Sequence, residues 1–358
     1  MMLLTIIVFA VLLLALVLVH EWGHFMAAKK AGCRVEEFGF GFPPRIFSWT
    51  WHETRYSLNL LPIGGFVKIE GEDMQDPNPP PTSFASKSAG WRIVILAAGV
   101  TMNVVLAWLL LSAQAAVGMP TLVTEENGKE LTDLKTYVME VAERSPAREA
   151  GIQELDRIVR INAIAQPSID QVQQEIAGAT GKEVEIEIER QGRHKTVITR
   201  PRENPPAGEG PLGVSLAAAG LERSPWWQAP LTGAKRTVDM LAAIVTQFAA
   251  IIQRLVTGGG VGETLTGPIG IAVYTNEVTQ MGLPYILEFG ALISLNLALI
   301  NILPLPALDG GRILFVLLEK IAGQRFPGKI EQITHTVGFV LLILLMVAIT
   351  FRDVQRFF

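Results

Sequence analysis

The sequence has little of several residue types that soluble proteins use heavily. Of its 358 residues only 18% are charged and 8% are aromatic, and there are five histidines and one cysteine. A single thiol can form neither an internal disulfide nor a zinc knuckle, so we interpret Cys33 as an unpaired residue. The net charge is −4 and no basic stripe alternates with aromatic residues, which argues against nucleic acid as a partner.

The sequence is instead rich in long hydrophobic runs, and 49% of its residues are hydrophobic. A helix rising about 1.5 Å per residue needs about 20 apolar residues to cross about 30 Å of hydrocarbon. Four apolar windows of 16 to 32 residues are interpreted as spans: Met1 to Val19, Ile93 to Thr124, Phe289 to Leu308 and Thr336 to Phe351. The first has no Lys or Arg before its apolar run, and its helical pattern continues to Lys30, so we interpret it as a retained helix rather than a signal peptide. The sequence therefore predicts a multi-pass α-helical protein of the lipid bilayer.

Basic residues near the ends of the spans predict the orientation of the chain. Lys and Arg are enriched in cytoplasmic loops, and here they cluster in the first and last loops. The cluster residues are Lys29, Lys30, Arg34, Lys87, Arg92, Lys320, Arg325 and Lys329. The N-terminus and residues 125–288 are then expected outside the cytoplasm.

Segments between the spans differ in character. Residues 36–68 alternate in short runs between Gly and Pro pairs, which predicts β structure at the membrane surface. There the turn from Gly39 through Gly41 either dips into the interface or is a plain hairpin turn. Residues 121–202 have the composition of a small soluble domain, followed by a Pro/Gly linker. Thr232 to Val256 has only thirteen apolar residues in its central run, too few to span, so we expect an amphipathic helix on the outer surface.

The chemistry is carried by His20-Glu21-Trp22-Gly23-His24, an H-E-x-x-H pattern. Residues four apart lie on one face of a helix, so both imidazoles can reach one tetrahedral Zn²⁺. Glu21 is the expected general base, able to take a proton from water and pass it to a leaving amide nitrogen. Ionisable residues at the end of an uncharged span are costly to bury, which favours a functional site.

A catalytic zinc needs a third protein ligand, and Asp309 is the best candidate. It follows twenty uncharged residues, where an unpaired carboxylate would be costly. The alternative is that Asp309 caps a helix beginning at Gly310. His52, His194 and His335 lie in contexts where ordinary structural roles are expected.

These motifs resemble the site-2 proteases, in the bacterial branch of regulator-of-sigma-E proteases. The shared segments are the H-E-x-x-H motif, the Gly39-Phe-Gly41 turn, Leu61 to Lys68, Gly267 to Gly270, and the N-x-x-P-x-P-x-x-D-G run from Asn301 to Gly310. The resemblance implies zinc bound by His20, His24 and Asp309, a substrate path lined by Asn301, Pro304 and Pro306, and an external PDZ domain around Ser145 to Asn162. The PDZ-like segment differs at Leu155, where the pattern has Gly before Asp156.

Topology gives a separate check on the third ligand. His20 and His24 end a span that runs from outside to inside, so Asp309 must end a span of the same direction. That holds if only one span lies between them, and it fails if Thr232 to Val256 crosses the membrane.

The predicted fold is a four-span helical membrane core with a membrane-associated β stretch and an inserted external PDZ-like α+β domain. The predicted parts are residues 1–120, a PDZ-like domain at 121–203, a linker and interfacial helix at 204–285, and a C-terminal membrane core at 286–358.

The expected protein is an intramembrane zinc metalloprotease of the bacterial inner membrane that cuts single-pass membrane proteins such as anti-sigma factors or remnant signal peptides. Gly39, Gly41 and the β stretch are expected to hold the unwound substrate as an added strand. The alternatives are a zinc transporter and a PDZ scaffold.

Overall fold

The structure is a computed structural model that describes residues 2–72, 78–123, 131–190, 192–206, 208–258, 267–323 and 328–357. The chain divides into two compact units, one holding Met1–Gln114 with Pro230–Phe358 and the other holding Ala115–Ala229. The elements in chain order are α1 (Met2–Lys30), β1 (Val35–Trp51), β2 (Thr54–Ile69), α2 (Ala89–Val117), β3 (Met119–Leu122), β4 (Thr132–Val141), α3 (Pro146–Glu149), β5 (Arg157–Ile161), β6 (Ile164–Ala165), α4 (Ile169–Gly178), β7 (Val184–Arg190), β8 (Arg193–Thr199), β9 (Val214–Glu222), α5 (Ala229–Val256), α6 (Pro268–Met281), α7 (Leu283–Ile302), α8 (Asp309–Ala322) and α9 (Gly328–Phe357).

Four helices of the described chain are long and apolar enough to cross a membrane, namely α1, α2, α7 and α9. The four predicted spans are therefore confirmed, with different ends. α2 ends at Val117 rather than near Thr124, because Gly118 has a φ of 104° that a helix cannot continue through, and β3 follows. α7 ends at Ile302, just before Pro304, which disfavours the helical conformation of the residue preceding it.

α1, α2 and α7 pack side by side. Gly290 of α7 lies against Leu12 of α1 and Leu110 of α2, and a Cβ added there would be 3.0 Å and 3.3 Å from these side chains. Nearer the other end of the same helices, His20 of α1 lies beside Asn103 and Asn301. Residue numbers thus rise together along α1 and α7 and fall along α2. This agrees with the prediction that the spans before His24 and Asp309 run in the same direction.

A long antiparallel ribbon, β1 with β2, lies beside α1 in sequence and in space. Phe38 pairs with both Val67 and Tyr56, and Gly39 pairs with both Phe66 and Ser57. The first half of β1 is therefore bordered on two sides by the two halves of β2. The second half of β1 is exposed and rich in aromatic residues, with Trp49 stacked on Tyr56 at 5.3 Å between ring centroids.

α5 is a continuous helix outside the group of four membrane-spanning candidates. Its Pro230 carbonyl accepts a hydrogen bond from Trp108 Nε1 at 2.8 Å, and its Ile244 packs in a cluster with Ala107 and Leu111. These contacts all fall in the half of α2 that is distant from His20. α5 therefore packs against α2, and its position at the membrane surface stays a prediction.

Two partly buried ion pairs link α8 to the N-terminal half of the first unit. Arg92 donates to Glu319 at 2.7 Å, and Arg312 pairs with Glu72. Between them, Val316 packs into a hydrophobic cluster with Ile95 and Phe84. The start of α8 is thereby held close to the C-terminal half of α1.

The second unit is an antiparallel sheet with two helices. Its strand order is β3-β9-β4-β5-β7-β8, with β6 paired to β5. α4 begins with a capping box between Ser168 and Gln171, and its Val172 and Ile176 are buried in the core beside Ile186. Asp156 is fully buried and accepts hydrogen bonds of 2.6 Å and 2.7 Å from Arg190, which raises the pKa of that guanidinium.

This unit is larger than the predicted range 121–203. β9 lies at Val214–Glu222 and pairs with β3 on one side and β4 on the other. The sequence shows β9 as a run of small residues after a Pro/Gly stretch, and such a run carries no period-2 signal. Its place in the sheet is decided by pairing with strands that lie far away in sequence.

Candidate metal centre

His20 and His24 lie one helical turn apart near the C-terminal end of α1. Both are packed against α2, which comes close because Gly23 of α1 and Gly99 of α2 each have no side chain at a contact between the two helices. A Cβ on Gly23 would overlap the Ala98 carbonyl, and one on Gly99 would overlap His24 Nε2 and lie 2.8 Å from His20 Cε1. The glycine inside the H-E-x-x-H motif is thus required by the approach of α2.

The three side chains that the sequence proposes as metal ligands lie close together. His20 Nε2 lies 3.2 Å from His24 Nε2 and 3.2 Å from Asp309 Oδ2, and His24 Nε2 lies 3.4 Å from Asp309 Oδ2. Ligand atoms at about 2.0 to 2.1 Å from a tetrahedral zinc are about 3.3 Å apart. Asp309 Oδ2 is buried and has no hydrogen-bond partner in the described chain. The three side chains therefore fit one face of a tetrahedral zinc site.

Asp309 is the first residue of α8, and the residue before it, Leu308, occupies the capping position. Asp309 is therefore not a helix cap, and the alternative role considered from the sequence is not supported. A Cβ on Gly310 would overlap the carbonyl oxygens of Ile302 and Leu303, and one on Gly311 would overlap that of Leu305. The two glycines let the chain fold back tightly enough to bring Asp309 beside α1.

α9 supports the loop that leads to Asp309. His335 Nδ1 accepts a hydrogen bond of 2.8 Å from the backbone N–H of Ala307, a residue in the left-handed region with φ of 70°. One turn later, a Cβ on Gly338 would overlap Pro306. His335, expected from the sequence to have an ordinary role, thus holds the loop of a proposed ligand. The sequence signal for it was only a polar residue near the start of an apolar span.

Each imidazole has its second nitrogen directed at α2. His24 Nδ1 lies 2.9 Å from the Ile95 carbonyl oxygen, and His20 Nδ1 lies 3.4 Å from Asn103 Nδ2. A carbonyl can only accept, so His24 carries its proton on Nδ1 and presents Nε2 to the centre. Asn103 was missed in the sequence, where its signal was a lone amide in an apolar helix.

Glu21 lies beside the metal centre and next to β2. Its carboxylate is close enough to interact electrostatically with His20, His24 and Asp309, and it accepts a hydrogen bond from the backbone of Val67. A Cβ on Gly65 would be 3.2 Å from Glu21 Cγ. The end of β2 thus passes directly by the expected base.

The other predicted site residues fall into two places. Asn301 Nδ2 is 3.5 Å from His20 Nε2, and Pro304 and Pro306 lie in the turn between α7 and α8. Gly39 and Gly41 lie in β1, and the Gly39 carbonyl lies beside Gly65. A Cβ on Gly39 would overlap the Phe66 ring, and Gly41 has a φ of 76°, so both glycines have packing and backbone reasons to be there.

Two histidines lie elsewhere. His52 is in the exposed turn between β1 and β2, and its ring lies 4.5 Å from that of Trp51. His194 lies in the second unit, where its Nδ1 is 2.8 Å from Glu187 Oε1. Hydrogen bonds from His194 and Arg160 hold the pKa of Glu187 below its ordinary value.

Two histidines and a carboxylate can hold a metal ion and leave one of its coordination positions open. With the adjacent glutamate they define a metal-dependent hydrolase, here placed among membrane-spanning helices. The sequence signature of Peptidase family M50 matches residues 8–345, and the chain belongs to this family.

Individual relatives cover nearly the whole chain. A Clostridium perfringens protein named as a zinc metalloprotease is 35% identical over 350 residues, 97% of this chain and 98% of that protein. The zinc metalloprotease RasP of Geobacillus kaustophilus is 28% identical, covering 99% of this chain and 98% of its own. The regulator of sigma-W protease RasP of Bacillus subtilis is 29% identical, covering 99% of both chains.

Proposed function

We propose that this protein hydrolyses peptide bonds of membrane proteins at a zinc ion held by His20, His24 and Asp309. The observation that carries the proposal is the triangle of ligand atoms with 3.2, 3.2 and 3.4 Å edges, in which Asp309 Oδ2 has no other partner. The chain is an intramembrane zinc metalloprotease with four candidate membrane spans. A zinc transporter or PDZ scaffold is not favoured, since neither uses a base beside the metal.

Glu21 is the group that we assign to proton transfer. When bound, zinc polarises the scissile carbonyl and lowers the pKa of water towards about 7. Glu21 then takes the proton of the attacking water and gives it to the leaving amide nitrogen. Its hydrogen bond with the Val67 backbone holds the carboxylate between the three ligands and β2.

The substrate must be unwound locally, because a transmembrane helix keeps its amides in its own hydrogen bonds. We assign the strand that receives it to Gly65–Ile69 of β2. Within the described residues these form a strand ladder only with β1, and their other edge faces Glu21, which accepts a hydrogen bond from the Val67 backbone and lies next to Gly65. Gly39 is paired on both sides and cannot add a further strand, so Gly39 and Gly41 act by shaping the ribbon.

Asn301 is proposed to hold the substrate backbone at the centre. Its amide is 3.5 Å from His20 Nε2, so it faces the space where the reacting carbonyl must lie. Pro304 and Pro306 fix the turn that joins this amide to Asp309 and lack backbone donors that would compete with the substrate. The residues of this motif therefore serve ligand placement and substrate binding together.

For the second unit we propose a PDZ-like domain that selects substrates. One supporting feature is Leu155, which stands where the family pattern has Gly and which has a φ of 67°, a conformation that Gly adopts easily. The expected substrates are single-pass membrane proteins, and the Bacillus subtilis relative is named a regulator of sigma-W protease. The expected location is the bacterial inner membrane, with the zinc towards the cytoplasmic side and this unit outside.

The experiment compares Glu21→Gln with Asp309→Ala in purified, detergent-solubilised protein. Glu21→Gln is expected to keep its zinc and lose cleavage by at least about 100-fold, because an amide cannot accept the proton. Asp309→Ala is expected to lose zinc. Substantial cleavage by Glu21→Gln would refute the base, and normal zinc in Asp309→Ala would remove Asp309 as a ligand.

The same Glu21→Gln variant can be used to identify the natural substrates. Membrane fractions from cells with wild-type and Glu21→Gln protein are compared by quantitative proteomics. Proteins that accumulate in full-length form only with Glu21→Gln are the substrates, and the absence of any such protein would contradict a proteolytic function.

A further inference from the structure

Asn103 lies where α1, α2 and α7 meet. It is 99% buried, and its backbone carbonyl accepts a hydrogen bond of 2.7 Å from Ser294 Oγ of α7. Its side chain faces His20 of α1, with Nδ2 at 3.4 Å from His20 Nδ1. The other amide atom, Oδ1, is buried and has no hydrogen-bond partner in the described chain. Nothing therefore fixes the amide in one of its two orientations except His20.

The two orientations demand different forms of His20. An amide NH₂ only donates, so Nδ2 facing Nδ1 requires an unprotonated Nδ1 and places the imidazole proton on Nε2. A proton on Nε2 prevents that atom from binding a metal. Turning the amide by 180° brings Oδ1 to Nδ1, which then carries the proton and leaves Nε2 free. In either orientation one polar atom of the Asn103 amide stays without a hydrogen bond. Metal binding at His20 Nε2 therefore determines which orientation is adopted.

We propose that Asn103 is a positioning residue whose Oδ1 accepts a hydrogen bond from His20 Nδ1–H and so presents His20 Nε2 to the metal. It has the same task for His20 that the Ile95 carbonyl has for His24. A backbone carbonyl opposite His24 cannot be changed by mutation, whereas Asn103 can. The inference rests on the proposed zinc site and adds a residue that orients one of its ligands.

The contribution expected of such an acceptor is known in size. Partners of a metal-bound histidine typically change metal affinity by about 10- to 100-fold when removed. Asn103→Leu keeps the volume and removes the acceptor, so zinc affinity is expected to fall by that factor. Asn103→Asp keeps acceptor oxygens in both δ positions and is expected to retain affinity within about threefold of wild type.

The test measures zinc retention of purified full-length protein against a competing chelator, alongside cleavage. Ser294→Ala is the matched control, because it removes the hydrogen bond at the same helix junction without touching His20, and it should leave zinc retention unchanged. If Asn103→Leu does not assemble, Asn103→Ala replaces it with no acceptor and less bulk. Loss in the acceptor-free variant with rescue by Asn103→Asp supports the proposal.

Failure of this inference is distinguishable from failure of the zinc site. His24→Ala serves as the reference for loss of a ligand. If His24→Ala loses zinc while Asn103→Leu or Asn103→Ala binds as wild type, the ligand set stands and Asn103 has no positioning role. If Asn103→Asp is as poor as Asn103→Leu, the residue acts through packing alone and the proposal is overturned. If His24→Ala binds zinc as wild type, the metal centre itself is wrong.

Discussion

Adding one methyl group at Gly99 is expected to inactivate the enzyme by displacing a metal ligand. The new Cβ would overlap His24 Nε2 and lie 2.8 Å from His20 Cε1, where contacts below 3.0 Å force a neighbour to move. The imidazole or α2 must then shift by about 1 Å, whereas metal–ligand distances tolerate only about 0.2 Å. A misplacement of about 1 Å can cost about 100-fold in rate, so Gly99→Ala is expected to lose at least that much cleavage together with zinc.

Gly90 of the same helix provides the matched control, because a Cβ there meets nothing within 4 Å. Gly to Ala favours a helix by up to about 1 kcal/mol, so any effect of helix propensity acts in the same direction in both variants. The assay measures zinc per protein and cleavage of a test substrate in proteoliposomes, at equal amounts of folded protein. Gly99→Ala with the zinc content and rate of Gly90→Ala would refute the close approach of α2 to the metal centre.

Two further predictions concern the parts around the catalytic core. Reporters inserted after Glu203 and after Thr257 are expected to report the same, outer side, because α5 is expected to lie at the membrane surface. Reporters on opposite sides would contradict the topology in which α1 and the span before Asp309 run in the same direction. Replacing residues 119–222 with a short Gly/Ser linker is expected to leave cleavage of a trimmed substrate within about tenfold, roughly 1.4 kcal/mol in barrier, and to permit cutting of a substrate with a bulky outer domain. Met119 and Glu222 pair across the sheet, so the cut ends are adjacent. A folded, zinc-loaded deletion protein that still refuses the bulky substrate would contradict a size filter.

Local patterns of the chain were sufficient for the spans and the motifs. Apolar runs of about 20 residues can satisfy their backbone only as helices in lipid, so α1, α2, α7 and α9 follow from composition. His20 and His24 are four residues apart on a helix, and helix geometry alone puts them on one face. Asp309 was predicted because a lone carboxylate after a long uncharged run needs a partner.

Contacts between residues far apart in sequence were beyond those patterns. β9 belongs to the sheet because β3 and β4 lie on either side of it, while its own run of small residues has no strand periodicity. His335 of α9 holds the turn before α8 by accepting a hydrogen bond from the Ala307 backbone. Gly39 has two strand partners, which the sequence cannot show and which is why we propose Gly65–Ile69 as the strand that receives the substrate.

The sequence by itself determined the class of chemistry and which residues are proposed as its ligands, because both depend on residue type and on spacing within one helix or one short motif. The tertiary structure alone decided how the ligands are held: Asn103 and the Ile95 carbonyl reach the histidines from α2, and Gly99 sets how close α2 can come. The physical reason is that hydrogen bonds and steric contacts act over a few ångströms in space. In a chain of 358 residues, contacts between residues far apart in sequence leave no signal in the local sequence pattern.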